Sequence, residues 1–135
     1  MILPVTTFAT IVLAGLYVAL TMRVIDARRF AGVSLGDGGD ERLTRTIRGQ
    51  GNFVENVPIA LLLILVTEMQ TVALWTTTFD LLFVLATLSF VVGRVLHGIA
   101  FGFTMNWPLG RVGGMTLSLF SMLFLLILAI FAVLA

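Results

Sequence analysis

The chain reads as an all-α integral membrane protein, a four-transmembrane-helix bundle in a single domain covering residues 1–135, and three observations carry that reading. Apolar residues make up 59% of the sequence and charged residues only 11%, against roughly 25% charged in a soluble domain. Mean hydropathy is +1.12. No charged residue occurs from Met1 to Met22 or from Val112 to Ala135, and either stretch, as a helix, is long enough to cross about 30 Å of hydrocarbon.

The spans are expected at about Ile2–Arg23, Gly49–Thr71, Trp75–Phe103 and Val112–Ala135. The first lacks a basic leader and runs past signal-peptide length, so it reads as a retained span. The second begins beyond the one long polar segment, Asp26 to Arg45, whose centre is the glycine-rich turn Gly36-Asp37-Gly38-Gly39-Asp40. That turn is too short and too rich in glycine for a calcium loop. Thr71–Thr78 separates the second span from the third, and Asn106-Trp107-Pro108 marks a helix end before the fourth.

Orientation follows from the arginines, since the chain has no lysine. Arg23, Arg28, Arg29, Arg42, Arg45 and Arg48 flank the first connection; Arg94 and Arg111 flank the third. The positive-inside rule then puts the first and third connections in the cytoplasm and both termini on the other side. Glu68 and Asp80, the charges beside the second connection, are expected to mark the far interface. Glu55 lies thirteen residues before Glu68 and Arg94 fourteen after Asp80, about 20 Å in a helix, so both fall inside the near third of the membrane. An isolated ion at that depth is costly, and Glu55 and Arg94 are therefore expected to interact, within one chain or across a subunit boundary.

Two polar stripes result. Arg45, Arg48, Asn52 and Glu55 follow at helical spacing on the second span, and Arg94, His97 and Phe101 do so on the third. Intramembrane ionisable groups usually face a bundle interior or polar cavity, so a ligand pocket open to the cytoplasm is expected where the stripes meet. The plainer alternative is a structural ion pair, with Arg94 snorkelling to the interface and His97 satisfied structurally. Gly93, Gly98 and Gly102 form a small-residue pattern that suits close helix packing, as do Gly110, Gly113 and Gly114.

Several chemistries are excluded. The absence of cysteine removes disulfides, thiolate metal ligands and a protein thiol nucleophile. One histidine without a carboxylate cluster gives no metal site, and the arginines lack the pattern of a nucleic-acid surface.

The run Arg48-Gly-Gln50-Gly-Asn52-Phe-Val-Glu55-Asn56-Val-Pro58 resembles the second-helix signature of the MAPEG family, the membrane-associated proteins in eicosanoid and glutathione metabolism. Val24-Ile25-Asp26-Ala27-Arg28-Arg29 is similar to the basic end of that family's first helix, Gly93-Arg94-Val95-Leu96-His97 to its third-helix motif, and Arg111 falls near the arginine opening its fourth. The glycine-rich turn and the Gly-Asn-Phe-Val-Glu stretch look most like a small bacterial branch. The resemblance implies a homotrimer in the bacterial inner membrane, with glutathione as co-substrate bound between neighbouring subunits. It matches Arg28, Arg48, Gln50, Asn52, Glu55 and Arg94 to glutathione-contacting positions and Arg111 to the catalytic arginine. Arg45 and His97 join the candidate set from the two stripes.

The function this implies is a glutathione-dependent transferase or peroxidase acting on lipophilic electrophiles that arrive from the bilayer. Arginine forks suit the two carboxylates of the tripeptide, Glu55 suits its ammonium, and a cation beside the thiol favours the nucleophilic thiolate. A tyrosine common on the family's third helix is Phe101 here, the aromatic that often follows the glutamate is Asn56, and Tyr17, toward the far side or middle of the first span, is no evident substitute; Phe101 points to an alternative, a non-catalytic binding or scaffold protein. A small multidrug-type proton antiporter ranks third, because such proteins carry their glutamate in the first helix and this first span is uncharged.

Overall fold

The computed structural model describes residues 3–71, 77–104 and 107–134, and its described residues form four long helices and no strand. They are α1 (Pro4–Ala31), α2 (Glu41–Thr71), α3 (Thr77–Gly102) and α4 (Gly114–Leu134), the last entered through a π-helical turn, Leu109–Gly113. All four are long and apolar enough to cross a membrane, with α4 including its π-turn. Helices α2 and α3 pack on each other; α1 and α4 each pack on both, without contacting one another among the described residues.

The helices outrun the expected spans at the polar end, because hydropathy reports the bilayer and not the backbone. Helix α1 continues eight residues past Arg23 and stops at Gly32, whose φ of +66° suits a residue without Cβ. The Val33 N–H donates to the Arg28 carbonyl and the Gly32 N–H to Arg29, the paired bonds of a Schellman cap. Helix α2 starts at Glu41 and not near Gly49, because the Asp40 carboxylate accepts the Leu43 N–H at 2.6 Å and caps the first turn. Between them, Asp37 accepts the Gly39 N–H and the Thr44 hydroxyl, and these bonds, the first above all, hold its carboxyl below the usual range. The stabilisation from Asp37 is therefore present at neutral pH and lost as pH falls through its lowered pKa. The second connection lies largely outside the described residues, as does Asn106.

At the opposite end, Glu68 is 2% exposed, and it marks that end of the bundle by a fuller role than interface contact. Its two carboxylate oxygens accept the Val5 and Thr6 N–H groups at 2.9 and 2.7 Å. These donors belong to the first turn of α1, where a helix leaves its amides unpaired and its dipole favours an anion. Helix α1 is thus tied at its start to the end of α2.

Apolar packing fills this half and the centre of the bundle, with Leu13, Phe53, Ile64, Phe90 and Leu125 among its buried members. Glycine contacts bring the helices close toward the polar end. Gly93 of α3 and Gly114 of α4 meet backbone to backbone: a Cβ on Gly114 would stand 2.7 Å from both the Gly93 carbonyl oxygen and the His97 nitrogen. Gly98 and Gly102 instead receive Leu16 and Leu20 of α1, and Gly49 of α2 receives Phe101. The expected small-residue packing of α3 therefore serves two different neighbours, α4 through Gly93 and α1 through Gly98 and Gly102.

Candidate functional site

Above that core, a cavity of about 740 Å³ opens among α2, α3 and the start of α4. Its polar lining includes Arg48, Asn52 and Glu55 of α2, His97 of α3 and Arg111 of the π-turn. Phe101, Val112 and Met115 supply apolar wall. The helical spacing anticipated for α2 places Arg48, Asn52 and Glu55 around one space, since positions three or four apart share a face.

The ionised groups differ in what they touch. Arg94 is 1% exposed, so it does not snorkel. Its Nε donates to Ser118 Oγ at 2.8 Å, its Nη1 to Asn52 Oδ1 at 2.9 Å, and its Nη2 contacts Met115 Sδ at 3.3 Å. The expected pairing with Glu55 is not formed within the chain, because the Asn52 amide takes the guanidinium and Glu55, three residues on, lies exposed at the cavity. Arg94 braces Asn52 from behind and ties α2 to α4, and it does not itself line the cavity. By contrast, the side chains of Arg48, Glu55 and Arg111 make no hydrogen bond or ion pair with any described residue.

His97 is held by the π-turn. Its Nδ1 lies 2.9 Å from the Arg111 carbonyl oxygen. A carbonyl can only accept, so Nδ1 carries a proton, and in the neutral ring Nε2 presents a lone pair. That Nε2 is buried and has no partner among the described residues. The ring also packs on Phe101, with centroids 4.8 Å apart. One contact thus sets both the tautomer of His97 and the backbone that carries Arg111. π-turns are rare and recur at functional sites, consistent with this placement.

The remaining candidates lie elsewhere in the single chain. Arg28 spends Nη1 on the Ser34 and Gly36 carbonyls at 3.3 and 2.8 Å, and lines a neighbouring cavity of about 340 Å³ that shares Ile47 and Arg48 with the first. Gln50 turns to α1, where its Nε2 donates to Thr21 Oγ1 at 2.8 Å. Arg45 departs from its stripe: Nη2 donates to the Ala100 carbonyl at 3.0 Å, drawn by the negative end of α3. Tyr17 stacks on Phe53, with centroids 6.2 Å apart, across α1 and α2 and outside the cavity. Sequence reasoning missed Met115, Thr116 and Ser118; Met115 lies one helical turn beyond Arg111, which is the signal that was available.

No curated protein matches the chain. The profile of the MAPEG family matches residues 6–131, nearly the whole sequence and all four helices. The match covers the span-two stripe, the third-helix motif and Arg111 alike, and it leaves the antiporter reading without support. Four membrane-crossing helices and this match together show that the chain is an integral membrane protein belonging to the MAPEG family.

Proposed function

We propose that this cavity binds glutathione and that the protein uses the thiol, as thiolate, against lipophilic electrophiles in a transferase or peroxidase reaction. The observation that carries the reading is the set of three ionisable side chains, Arg48, Arg111 and Glu55, lining one cavity without a partner among the described residues. Glutathione offers two carboxylates, one ammonium and one thiol. Two guanidinium groups and one carboxylate are the complementary set, and Asn52, braced by Arg94, adds a fixed amide for a peptide group. The volume suits a ligand of that size, since small-molecule sites span roughly 300–1,000 Å³.

Arg111 is assigned to the sulfur. A nearby cation favours the charged form of a thiol whose free pKa is about 8.5, raising the thiolate fraction at neutral pH. Val112 and Met115 give an electrophile an apolar approach, and the buried Nε2 of His97 offers an acceptor to a ligand donor. The reading includes a homotrimer with ligand between subunits, in which Arg28 and Gln50 reach glutathione from a neighbouring copy. It also places the arginine-rich ends in the cytoplasm of a bacterial inner membrane by the positive-inside rule.

A non-catalytic binding protein is the second reading, favoured by Phe101. That ring packs against Gly49 and cannot donate to sulfur, and among the described residues Thr116 is the one hydroxyl-bearing residue lining the cavity. Turnover separates the two. Purified protein in detergent, given glutathione and a panel of lipophilic haloarenes and hydroperoxides, is expected to form thioethers or to reduce peroxide to alcohol. Saturable glutathione binding with no product from any of them would leave the binding-protein reading.

A further inference from the structure

A second polar cavity of about 350 Å³, sharing only the Phe101 wall with the first among the described residues, lies where the last third of α1 and the end of α3 meet the start of α2, lined by Arg23, Arg42, Arg45, Thr46, Phe103 and Thr104 among others. Among the described residues no carboxylate lines it. Two of its arginines are anchored on the C-terminal carbonyls of α3: Arg23 Nε on Gly102 at 2.9 Å and Arg45 Nη2 on Ala100 at 3.0 Å. Capping a negative helix end explains those two bonds. It does not explain the rest of the cluster. A guanidinium has five N–H donors, Arg45 Nε is buried without a partner among the described residues, and the Arg42 guanidinium makes no hydrogen bond to any described residue. Three cations therefore converge on one cavity with donors to spare and no anion among the described residues.

The setting selects the anion. The cavity sits at the arginine-rich ends of membrane-spanning helices, and aromatic rings extend from it. Arg42 stacks over Phe30, 81% exposed, and Arg23 over Phe103, 51% exposed. Guanidinium forks match phosphate oxygens, and basic pockets between membrane helices suit anionic headgroups. Exposed rings beside them offer a surface to the first carbons of acyl chains. A choline headgroup brings its own cation toward three arginines and is disfavoured.

We propose that this cavity binds the phosphodiester of an anionic phospholipid, a lipid site distinct from the cavity assigned to glutathione. The proposal reassigns Arg45 from the glutathione set to the lipid set, and it stands whether or not glutathione binds.

The test uses native mass spectrometry and thermal unfolding of the purified protein in non-ionic detergent with added phosphatidylglycerol, phosphatidylcholine or inorganic phosphate. Phosphatidylglycerol is expected to give retained adducts and a raised unfolding midpoint, which the other two do not. Arg42→Gln and, separately, Arg23→Gln should each cut retention of phosphatidylglycerol about tenfold, the loss expected for one charge-assisted contact. Arg42 is exposed and unbonded, so its variant keeps the fold, which circular dichroism verifies. Glutathione binding in that variant should match wild type. Equal retention of the two lipids, unchanged retention in both variants, an equal shift from inorganic phosphate, or a loss of glutathione affinity in Arg42→Gln would each overturn the proposal.

Discussion

Gly114→Ala is expected to destabilise the bundle by about 3 kcal/mol, the upper part of the usual range for overpacking a tight interior. The new methyl would stand 2.7 Å from the Gly93 carbonyl oxygen and from the His97 nitrogen, both backbone atoms. A flexible side chain can swing aside, whereas here α3 and α4 must separate. The separation would also pull the Arg111 carbonyl from His97, so the fold and the site should fail together. Gly113→Ala is the matched control. A Cβ there meets nothing within 4 Å, and its midpoint should stay near wild type. Thermal unfolding in one detergent compares them, and a Gly114→Ala midpoint equal to that of Gly113→Ala would refute the tight α3–α4 crossing.

Arg111→Ala should lower turnover about a hundredfold while leaving the fold and much of the glutathione affinity intact, comparable to removing one preorganised donor from a developing anion. The side chain is exposed and bonds to no described residue, so little packing is lost. The contact with His97 runs through the Arg111 backbone carbonyl, which alanine retains. The pH dependence gives the sign. With the cation present, thiolate persists below the free thiol pKa of about 8.5; without it, the bound thiol needs more alkaline solution to ionise. The rate profile of the variant should therefore shift to higher pH, recovering part of the lost activity. Collapse of the fold, or turnover unchanged at neutral pH, would remove Arg111 from the role assigned to it.

Much of this architecture is legible in the sequence because hydropathy and charge report the membrane directly. Four apolar runs, arginines gathered around two connections and helical spacing from Arg48 to Glu55 place the elements and one wall of the cavity. The helices run beyond the expected spans where polar residues continue them: Gly32 and Asp40 are the stop and start signals, and hydropathy passes over both. The π-turn at Leu109–Gly113 is a choice of backbone hydrogen bonding with no residue code, so the coupling of His97 to Arg111 was not foreseeable.

The partners of buried charges were the hardest part, because they are set by tertiary contacts. Depth put Arg94 and Glu55 at one level, yet Arg94 is satisfied by the neutral groups of Asn52, Ser118 and Met115. The grip of Glu68 on the first turn of α1 joins residues more than sixty positions apart, which no local pattern signals. Arg45 shares the register of its stripe, but its long side chain follows the carbonyls of α3.

The central claim, that the cavity around Arg48, Glu55 and Arg111 is a glutathione site, is tested most directly by calorimetric titration of glutathione into the detergent-purified protein beside Arg48→Ala and Glu55→Gln. The account predicts saturable binding by wild type, with each variant weakened at least about tenfold, the cost of one lost charge-assisted contact. No heat of binding in wild type, or binding that both variants retain in full, would contradict it.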